Sequence, residues 1–159
     1  MKDIQITVRC QIIPVHGDNL ILPNTAVAEV IHYQDPNAVS GAPDWLLGLL
    51  TWRERPIPVA SFEAACGQER PAPHTRAKII VLNALSGGAD LNFYGLVTQG
   101  LPQLTLIDER KIASVEHETE TNPLVLSRVI VNDEPAVIPN LDVLEERLLA
   151  CKKYWKGRG

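Results

Sequence analysis

Few side chains in this chain have the types and spacing that chemistry requires. The sequence Glu116-His117-Glu118 contains groups that can bind a divalent metal, but it lies in a polar run typical of a surface loop or strand edge, so we expect no metal there. The three cysteines, Cys10, Cys66 and Cys151, are widely spaced and form no CxxC pair, which argues against a zinc ribbon or a redox pair. Each is expected to be a small buried apolar residue or an idle thiol.

Nucleophiles and nucleotide-binding loops are equally scarce. Ser61 lies near Glu63 and Ser114 near Glu116, but neither has a histidine at a suggestive position, and no G-x-S-x-G elbow occurs. There is no Walker loop and no G-x-G-x-x-G, and Gly87-Gly88 is typical of a hairpin turn. None of the four histidines falls on a predicted long helix, where a phosphoacceptor would be expected. We therefore predict no enzyme, no phosphotransfer domain and no cofactor.

Composition indicates an ordinary globular protein. The sequence is 45% hydrophobic and 21% charged. Its 159 residues are enough for one domain or two small intertwined lobes. The formal net charge is −4, and no basic run occurs before the tail at 152–158, so nucleic acid is not expected as a partner. Without a signal peptide or an apolar run of 18 residues, the expected location is the cytoplasm, with no insertion into a membrane.

The stretch 41–59 is the most distinctive part of the sequence. It predicts two apolar strands joined by a charged corner, Arg53-Glu54-Arg55. Two arginines at the tip of so apolar a ribbon suggest a protein partner. Because Pro56 and Pro58 cannot donate hydrogen bonds to a ladder, the second strand is expected to lie at a sheet edge or to bend.

Most of the chain is predicted to form strands. Period-two alternation and β-branched runs, punctuated by Gly, Pro and Asn, predict about ten short strands. They are expected within the ranges 4–13, 20–22, 45–59, 78–82, 91–97, 100–107, 124–131 and 136–138.

Helices are predicted at three places. A short amphipathic helix is expected over 26–31 because Val27, Val30 and Ile31 would share one face. A helical turn over 61–66 and a C-terminal helix over 141–150, capped by the preceding Pro-Asn, complete the set. Residues 67–77 resemble a flexible connection between two halves. Hairpin-linked strands without long intervening helices favour small antiparallel barrels over a parallel α/β sheet.

The order of motifs resembles the CheW-like adaptor family, coupling proteins that link chemoreceptors to a histidine kinase. The matching motifs are Leu22-Pro23 with Val27-Ala-Glu-Val30, Gly41-Ala-Pro43, Leu47-Gly48 with Arg53, Pro58-Val59, Tyr94–Gly100 and Ala136–Asp142. The resemblance covers nearly the whole chain. It implies a mainly β fold of two intertwined five-stranded SH3-like barrels, with a short helix in the N-terminal half and a C-terminal helix. Residues 1–159 would form one domain with two interleaved lobes connected near 67–77.

Its functional implication is a non-catalytic adaptor. One barrel would dock the regulatory domain of a histidine kinase, and a groove between the barrels would take the helical tip of a chemoreceptor's cytoplasmic part. Recruitment to receptor arrays is implied. The compact length and the sequence of residues 22–30 are most similar to those of single-domain members attached to type IV pilus systems. This similarity implies a role in twitching motility.

The resemblance also assigns residues. Arg53 corresponds to the family arginine implicated in coupling, and its guanidinium offers a planar fork to a partner carboxylate. The alternative is local pairing with Glu54 or Glu29. The family usually has glycine where Glu54 stands, so a negative charge beside Arg53 is expected to weaken or redirect partner binding. The usual Asp after the Pro-Val strand is also missing here, since the sequence continues Ala60-Ser61-Phe62.

Apolar positions complete the predicted surface. Val27, Val30 and Leu104 resemble the lining of the receptor groove, with ordinary core packing as the alternative for each. Trp52 is expected to be an interface anchor or a buried barrel tryptophan.

Three glycines in the matching motifs, Gly48, Gly95 and Gly100, are predicted to serve backbone conformation rather than contact.

A different class of function stays open from the sequence. A small-ligand-binding β-barrel, or an enzyme of unrecognised type, would need a convergent polar pocket with perturbed titratable groups, such as His117 with Glu116 and Glu118.

Overall fold

The computed structural model describes residues 7–85, 90–108, 112–114 and 120–157. Within them, eleven strands form two sheets. The six-stranded sheet has the order β8-β1-β2-β11-β10-β9 and the five-stranded sheet the order β3-β6-β7-β5-β4. The strands are β1 Thr7–Val15, β2 Asp18–Pro23, β3 Val27–His32, β4 Leu46–Trp52, β5 Arg55–Ala60, β6 Lys78–Asn83, β7 Phe93–Thr98, β8 Gln103–Asp108, β9 Ile112–Ser114, β10 Val125–Val131 and β11 Glu134–Pro139. The helices are α1 Phe62–Ala65 and α2 Leu141–Ala150.

The chain crosses between the sheets twice, so that one lobe is inserted in the other. It leaves the six-stranded lobe over 23–27, builds all five strands of the second lobe, and returns over 98–103. In each lobe one parallel pairing joins two antiparallel units: Leu20 lies opposite Val137 in one, and Val59 opposite Gly95 in the other. The predicted mainly β, two-lobed architecture is confirmed. One lobe has six strands rather than five, because β9, within a run too polar to predict a strand, pairs with β10.

The core has three parts, two inside the lobes and one between them. Strand β6 contributes to two parts: Ile79 and Val81 pack inside the five-stranded lobe, while Ile80 and Leu82 pack between the lobes. All four are fully buried. A strand with core on both faces must be apolar at every position, which explains its continuous Ile-Ile-Val-Leu sequence.

Helix α2 covers the core between the lobes. The Asn140 side chain caps it by accepting a hydrogen bond from the Val143 N–H at 3.3 Å, and the predicted face of Leu141, Leu144 and Leu148 is buried. The helix also buries Glu145, which fits this site because it accepts hydrogen bonds from donors in the opposite lobe.

Donors to the Glu145 carboxylate include the Leu85 N–H at 2.8 Å and the Tyr94 hydroxyl at 3.1 Å. Burial, followed by the adjacent Glu145 carboxylate, raises the pKa of Tyr94. Tyr94 is therefore a neutral hydrogen-bond donor across the physiological pH range.

The short helix predicted over 26–31 was wrong. One 3-10 turn, Asn24–Ala26, leads directly into β3, which pairs with β6 and has a bulge between Val27 and Glu29. The bulge adds one residue to the strand, so Val27 and Val30 both face the core between the lobes. A bulged strand therefore reproduces the three-residue spacing that was interpreted as a helix.

Two further expectations need correction, one about a connection and one about the position of a strand in its sheet. Residues 67–77 do not connect the lobes: they join α1 to β6, and the strands on both sides belong to the five-stranded sheet. Of the two alternatives for β5, a sheet edge or a bend, the edge was wrong, since β5 lies between β4 and β7. Its prolines are accommodated because only Val59 and Ala60 pair with β7, which leaves Pro56 and Pro58 outside that ladder.

Several sequence predictions fall outside the described residues. They are the start of the first strand before Thr7, the tip of the loop that contains Gly87-Gly88, and the sequence Glu116-His117-Glu118. The helical turn after β5 is confirmed as α1. The Ser61 hydroxyl accepts a hydrogen bond from the Ala64 N–H at 3.2 Å and so serves as its cap.

Candidate functional site

The charged corner is a tight two-residue turn between β4 and β5. Arg53 and Glu54 have φ angles of +48° and +65°, and the flanking Trp52 and Arg55 pair directly, as in a type I′ hairpin. The chain has a second turn of this kind at Asn132-Asp133, with φ angles of +50° and +67°. Asn and Asp suit the left-handed region, whereas Arg and Glu do not. Arg53 and Glu54 are therefore not the residue types that would stabilise this turn best.

Trp52 anchors this turn to strand β3, which lies at the other end of the sheet order. Its ring is buried against Phe93, with 4.8 Å between ring centroids. Its indole N–H donates a hydrogen bond of 2.9 Å to the Glu29 carboxylate. The sequence left Trp52 as either an interface anchor or a barrel tryptophan, and the structure places its ring in the core of the five-stranded lobe.

Arg53 lies on top of Trp52 and stays open to solvent. Its guanidinium carbon is 4.5 Å from the centre of the Trp52 ring, and one of its nitrogens is 3.4 Å from the same Glu29 oxygen. Its side chain is nevertheless 66% exposed. An ion pair this exposed stabilises the fold little. Glu29 and Trp52 orient the guanidinium, and the hydrogen bond to Glu29 uses one of its nitrogens.

The predicted groove residues lie on the edge strands of the two sheets. Val27 and Val30 are half-buried on β3 and pack against the core between the lobes. Leu104 lies on β8, at the edge of the six-stranded sheet, and is 58% exposed. The Gln11 side chain, opposite Leu104 in register, donates a 3.0 Å hydrogen bond to Asn24, which precedes β3.

Sequence reasoning missed two exposed leucines next to Leu104. Leu101 and Leu106 are 60% and 62% exposed. The alternation of Leu104 and Leu106 was visible in the sequence, but which side of the strand faces solvent depends on its pairing with β1.

The three predicted glycines have different surroundings. Gly48 has a φ of +140°, and a Cβ there would overlap the Asn37 carbonyl. At Gly95 a Cβ would lie 2.9 Å from a methyl group of Ile79. Gly100 meets only Pro14, at 3.4 Å. The backbone thus requires glycine at the first position, packing opposes a side chain at the second, and the third has room for a methyl group.

Two hollows in the described surface have the size of a small-molecule site. A hollow of about 310 Å³ is lined by Tyr33, Asp35 and Arg70 among others. Its polar groups already have partners, because Tyr33 donates to Asp35 at 3.0 Å and Arg70 to Asp44 at 2.9 Å. Burial is the main cause that raises the pKa of Tyr33, so it stays a neutral donor.

The second hollow, of about 220 Å³, lies in the six-stranded lobe and has apolar walls that include Ile21 and Ile107. Neither hollow presents an unpartnered catalytic pair.

Other chemical groups offer little reactivity in the described part of the chain. Burial raises the pKa of the Cys10, Cys66 and Cys151 thiols, which keeps them protonated near neutral pH. Among the described residues, no group of three or more His, Cys, Asp or Glu is placed to hold a metal ion. None of the described helices has the length and apolar character needed to span a bilayer.

Residues 9–148 match the CheW-like domain family. The structure is similar to that of the scaffolding protein TtCheW from Thermoanaerobacter tengcongensis, with a TM-score of 0.71 and 18% sequence identity over 89% of each chain. A search of curated proteins finds no significant sequence match.

Proposed function

Since the chain belongs to the CheW-like domain family, we propose that it is a non-catalytic scaffold that couples chemoreceptors to a chemotaxis-type histidine kinase. The observation that carries this proposal is the Arg53-Glu54 turn. It presents an oriented, solvent-open guanidinium at a position where other residues would make a more stable turn. Such a conflict between local stability and residue type is common where a side chain is kept for binding.

The proposed surface combines this turn with the edges of both lobes. Arg53 offers its fork to a partner carboxylate, and Glu29 and Trp52 hold it in place. Val27, Val30 and Leu104 supply apolar contacts for one face of a receptor's helical tip. Glu54 adds a negative charge beside Arg53 and thereby favours partners with a compensating basic group.

The mechanism is geometric rather than chemical. The kinase's regulatory domain would bind one lobe and the receptor tip the groove between the lobes. Holding both on one body raises their effective concentration, so that a small receptor movement can shift the kinase between conformations. This role places the protein in the cytoplasm at receptor arrays, and we extend the proposal to the control of type IV pilus motility.

The test is recovery of partners from a lysate of the source organism. We expect the purified wild-type protein to retain a histidine kinase or a chemoreceptor, identified by mass spectrometry. Arg53→Ala should lose that partner while its melting temperature stays nearly unchanged. Arg53→Asn should lose it too, and because Asn favours the turn's backbone, that loss cannot be attributed to a distorted turn.

The matched control is Arg70→Ala. Arg70 is also an exposed arginine in a surface ion pair, at 2.9 Å from Asp44, but it is remote from the turn in sequence. If Arg70→Ala reduces recovery as much as Arg53→Asn, general charge rather than the Arg53 turn determines binding. Recovery of neither a kinase nor a receptor by the wild-type protein would contradict the scaffold proposal.

A further inference from the structure

The hollow of about 310 Å³ lies at one end of the five-stranded lobe, opposite the Arg53 turn. Its walls include Leu47 from the beginning of β4, whereas the turn follows Trp52 at the end of that strand. The five steps along the strand between these residues span about 16 Å. A small molecule bound in the hollow would therefore not contact a partner held at the turn.

Part of the wall of this hollow is apolar and rigid. Leu47 and the buried Val97 contribute to it, and the chain adds three prolines, Pro36, Pro71 and Pro73. Proline fixes its backbone φ angle, so these parts of the wall need little ordering when a ligand binds. The volume is near the lower end of the range for small-molecule sites, which suits a ligand of about amino-acid size.

Two opposite charges, Asp35 and Arg70, line the hollow and, among the described ion pairs, are not paired with each other. Arg70 pairs instead with Asp44, at 2.9 Å. Asp35 accepts a hydrogen bond of 3.0 Å from the Tyr33 hydroxyl. These contacts use one guanidinium nitrogen and one carboxylate oxygen. The remaining donors of Arg70 and the other oxygen of Asp35 have no partner among the described residues.

Both charges act on the Tyr33 hydroxyl, which also lines the hollow. Burial is the main cause that raises the pKa of Tyr33, followed by the hydrogen bond to Asp35 and its negative charge, and the positive charge of Arg70 opposes this rise. The carboxylate and the guanidinium therefore both lie near one hydroxyl. A small ligand that carries a donor and an acceptor group can contact the two at once.

We propose that this hollow binds a small zwitterion of the α-amino-acid class with an apolar side chain. The carboxylate of the ligand accepts hydrogen bonds from Arg70, and its ammonium group donates to Asp35. Its side chain packs against Leu47 and Val97. Since the lining carries one charge of each sign, a molecule with a single charge would gain only one of the two polar contacts.

The primary test is isothermal titration calorimetry of the full chain with L-leucine and, in a second titration, L-phenylalanine, each up to about 10 mM. We expect saturable binding with one site per chain. N-acetyl-L-leucine lacks the ammonium group and L-leucinamide lacks the carboxylate, so each should bind at least about tenfold more weakly than L-leucine. Glycine keeps both charges but has no side chain to contact the apolar wall, and it should also bind at least about tenfold more weakly.

Substitutions locate the site. Asp35→Asn and Arg70→Gln should each weaken L-leucine binding at least about tenfold. Their melting temperatures should stay nearly unchanged, because both side chains are exposed. Arg76→Gln is the matched control, since Arg76 is exposed on the same loop as Arg70 but is not one of the residues that line the hollow. Its affinity for L-leucine should equal that of the wild-type protein.

Four results would overturn the proposal. They are the absence of binding by both amino acids at about 10 mM, equal binding by L-leucinamide, wild-type affinity in both Asp35→Asn and Arg70→Gln, and an equal loss of affinity in Arg76→Gln. The titrations contain no kinase or receptor, so their outcome is independent of the scaffold proposal.

Discussion

Replacing Glu54 by glycine should increase the free energy of unfolding, although the Glu54 side chain is exposed. The cause is its backbone, which has a φ of +65°. A residue with a Cβ in this left-handed region costs about 1–2 kcal/mol. Glycine removes that cost. Its greater conformational freedom in the unfolded chain, however, lowers the free energy of unfolding by about 0.4–1 kcal/mol. The net expectation is a gain of about 0.5–1 kcal/mol, or about 1–4 °C in melting temperature for a chain of this size.

The assay is urea denaturation followed by tryptophan fluorescence, with thermal unfolding as a second measure. The matched control is Asp133→Gly in the other type I′ turn, at φ +67°. Because Asp tolerates the left-handed region better than Glu, this change should give a smaller gain or a loss. A loss of stability in Glu54→Gly, or an equal gain in Asp133→Gly, would refute the argument from backbone strain.

A third variant separates strain from charge. Glu54→Gln keeps the Cβ and therefore the strain, but removes the negative charge beside Arg53. Its stability should match that of the wild-type protein, while recovery of partners should change. If Glu54→Gly and Glu54→Gln alter recovery equally, charge is the cause. If only the glycine variant does, the shape of the turn decides.

Three other predictions concern a buried carboxylate, two glycines and a surface ion pair. Glu145→Ala should cost about 2–5 kcal/mol in urea unfolding, because it leaves the buried donors to this carboxylate without an acceptor. Gly48→Ala should prevent folding or destabilise severely, whereas Gly100→Ala, where the Cβ meets one proline at 3.4 Å, should be nearly neutral by thermal unfolding. Arg128, 2.6 Å from Glu120, lowers the pKa of that carboxyl. The small stability advantage of wild type over Glu120→Gln should therefore be complete above about pH 4.3 and disappear as the pH falls through the lowered pKa, which is measurable by urea titrations at several pH values.

Much of the secondary structure was predictable because its signals are local. The run Ile79–Leu82 and the hairpin around Asn132 identified strands, and Asn140 with its following leucines identified α2. These patterns depend on neighbours within a few residues. The bulge in β3 defeated the same reasoning, since an extra residue gives a strand the spacing of a helix.

The topology could not be predicted from local patterns. Insertion of the five-stranded lobe depends on pairings such as Leu20 with Val137, which are distant in sequence. Residues 67–77 have the composition of a connection between lobes, but composition does not reveal which strands a loop joins. The resemblance to a family predicted interleaved lobes, but the connection expected near 67–77 was wrong, since the chain crosses between the sheets over 23–27 and 98–103.

The candidate site was predictable in its residues but not in its geometry. The sequence indicated Arg53, yet the hydrogen bond from Trp52 to Glu29 joins residues 23 positions apart. For Arg53 the sequence left two alternatives, local pairing and exposure for a partner. The structure has both at once, because the ion pair with Glu29 leaves most of the guanidinium open.

The core between the lobes limits how such a scaffold can transmit a signal. Strand β6 belongs to the core of its own lobe and to the core between the lobes, and α2 closes the second with fully buried Leu144 and Leu148. Separating the lobes would expose these residues, at about 1.5–3 kcal/mol for each large apolar side chain. A hinge between the lobes is therefore too costly to open on binding. If the protein couples two partners, it does so as one rigid body, and the movement must occur in the partners.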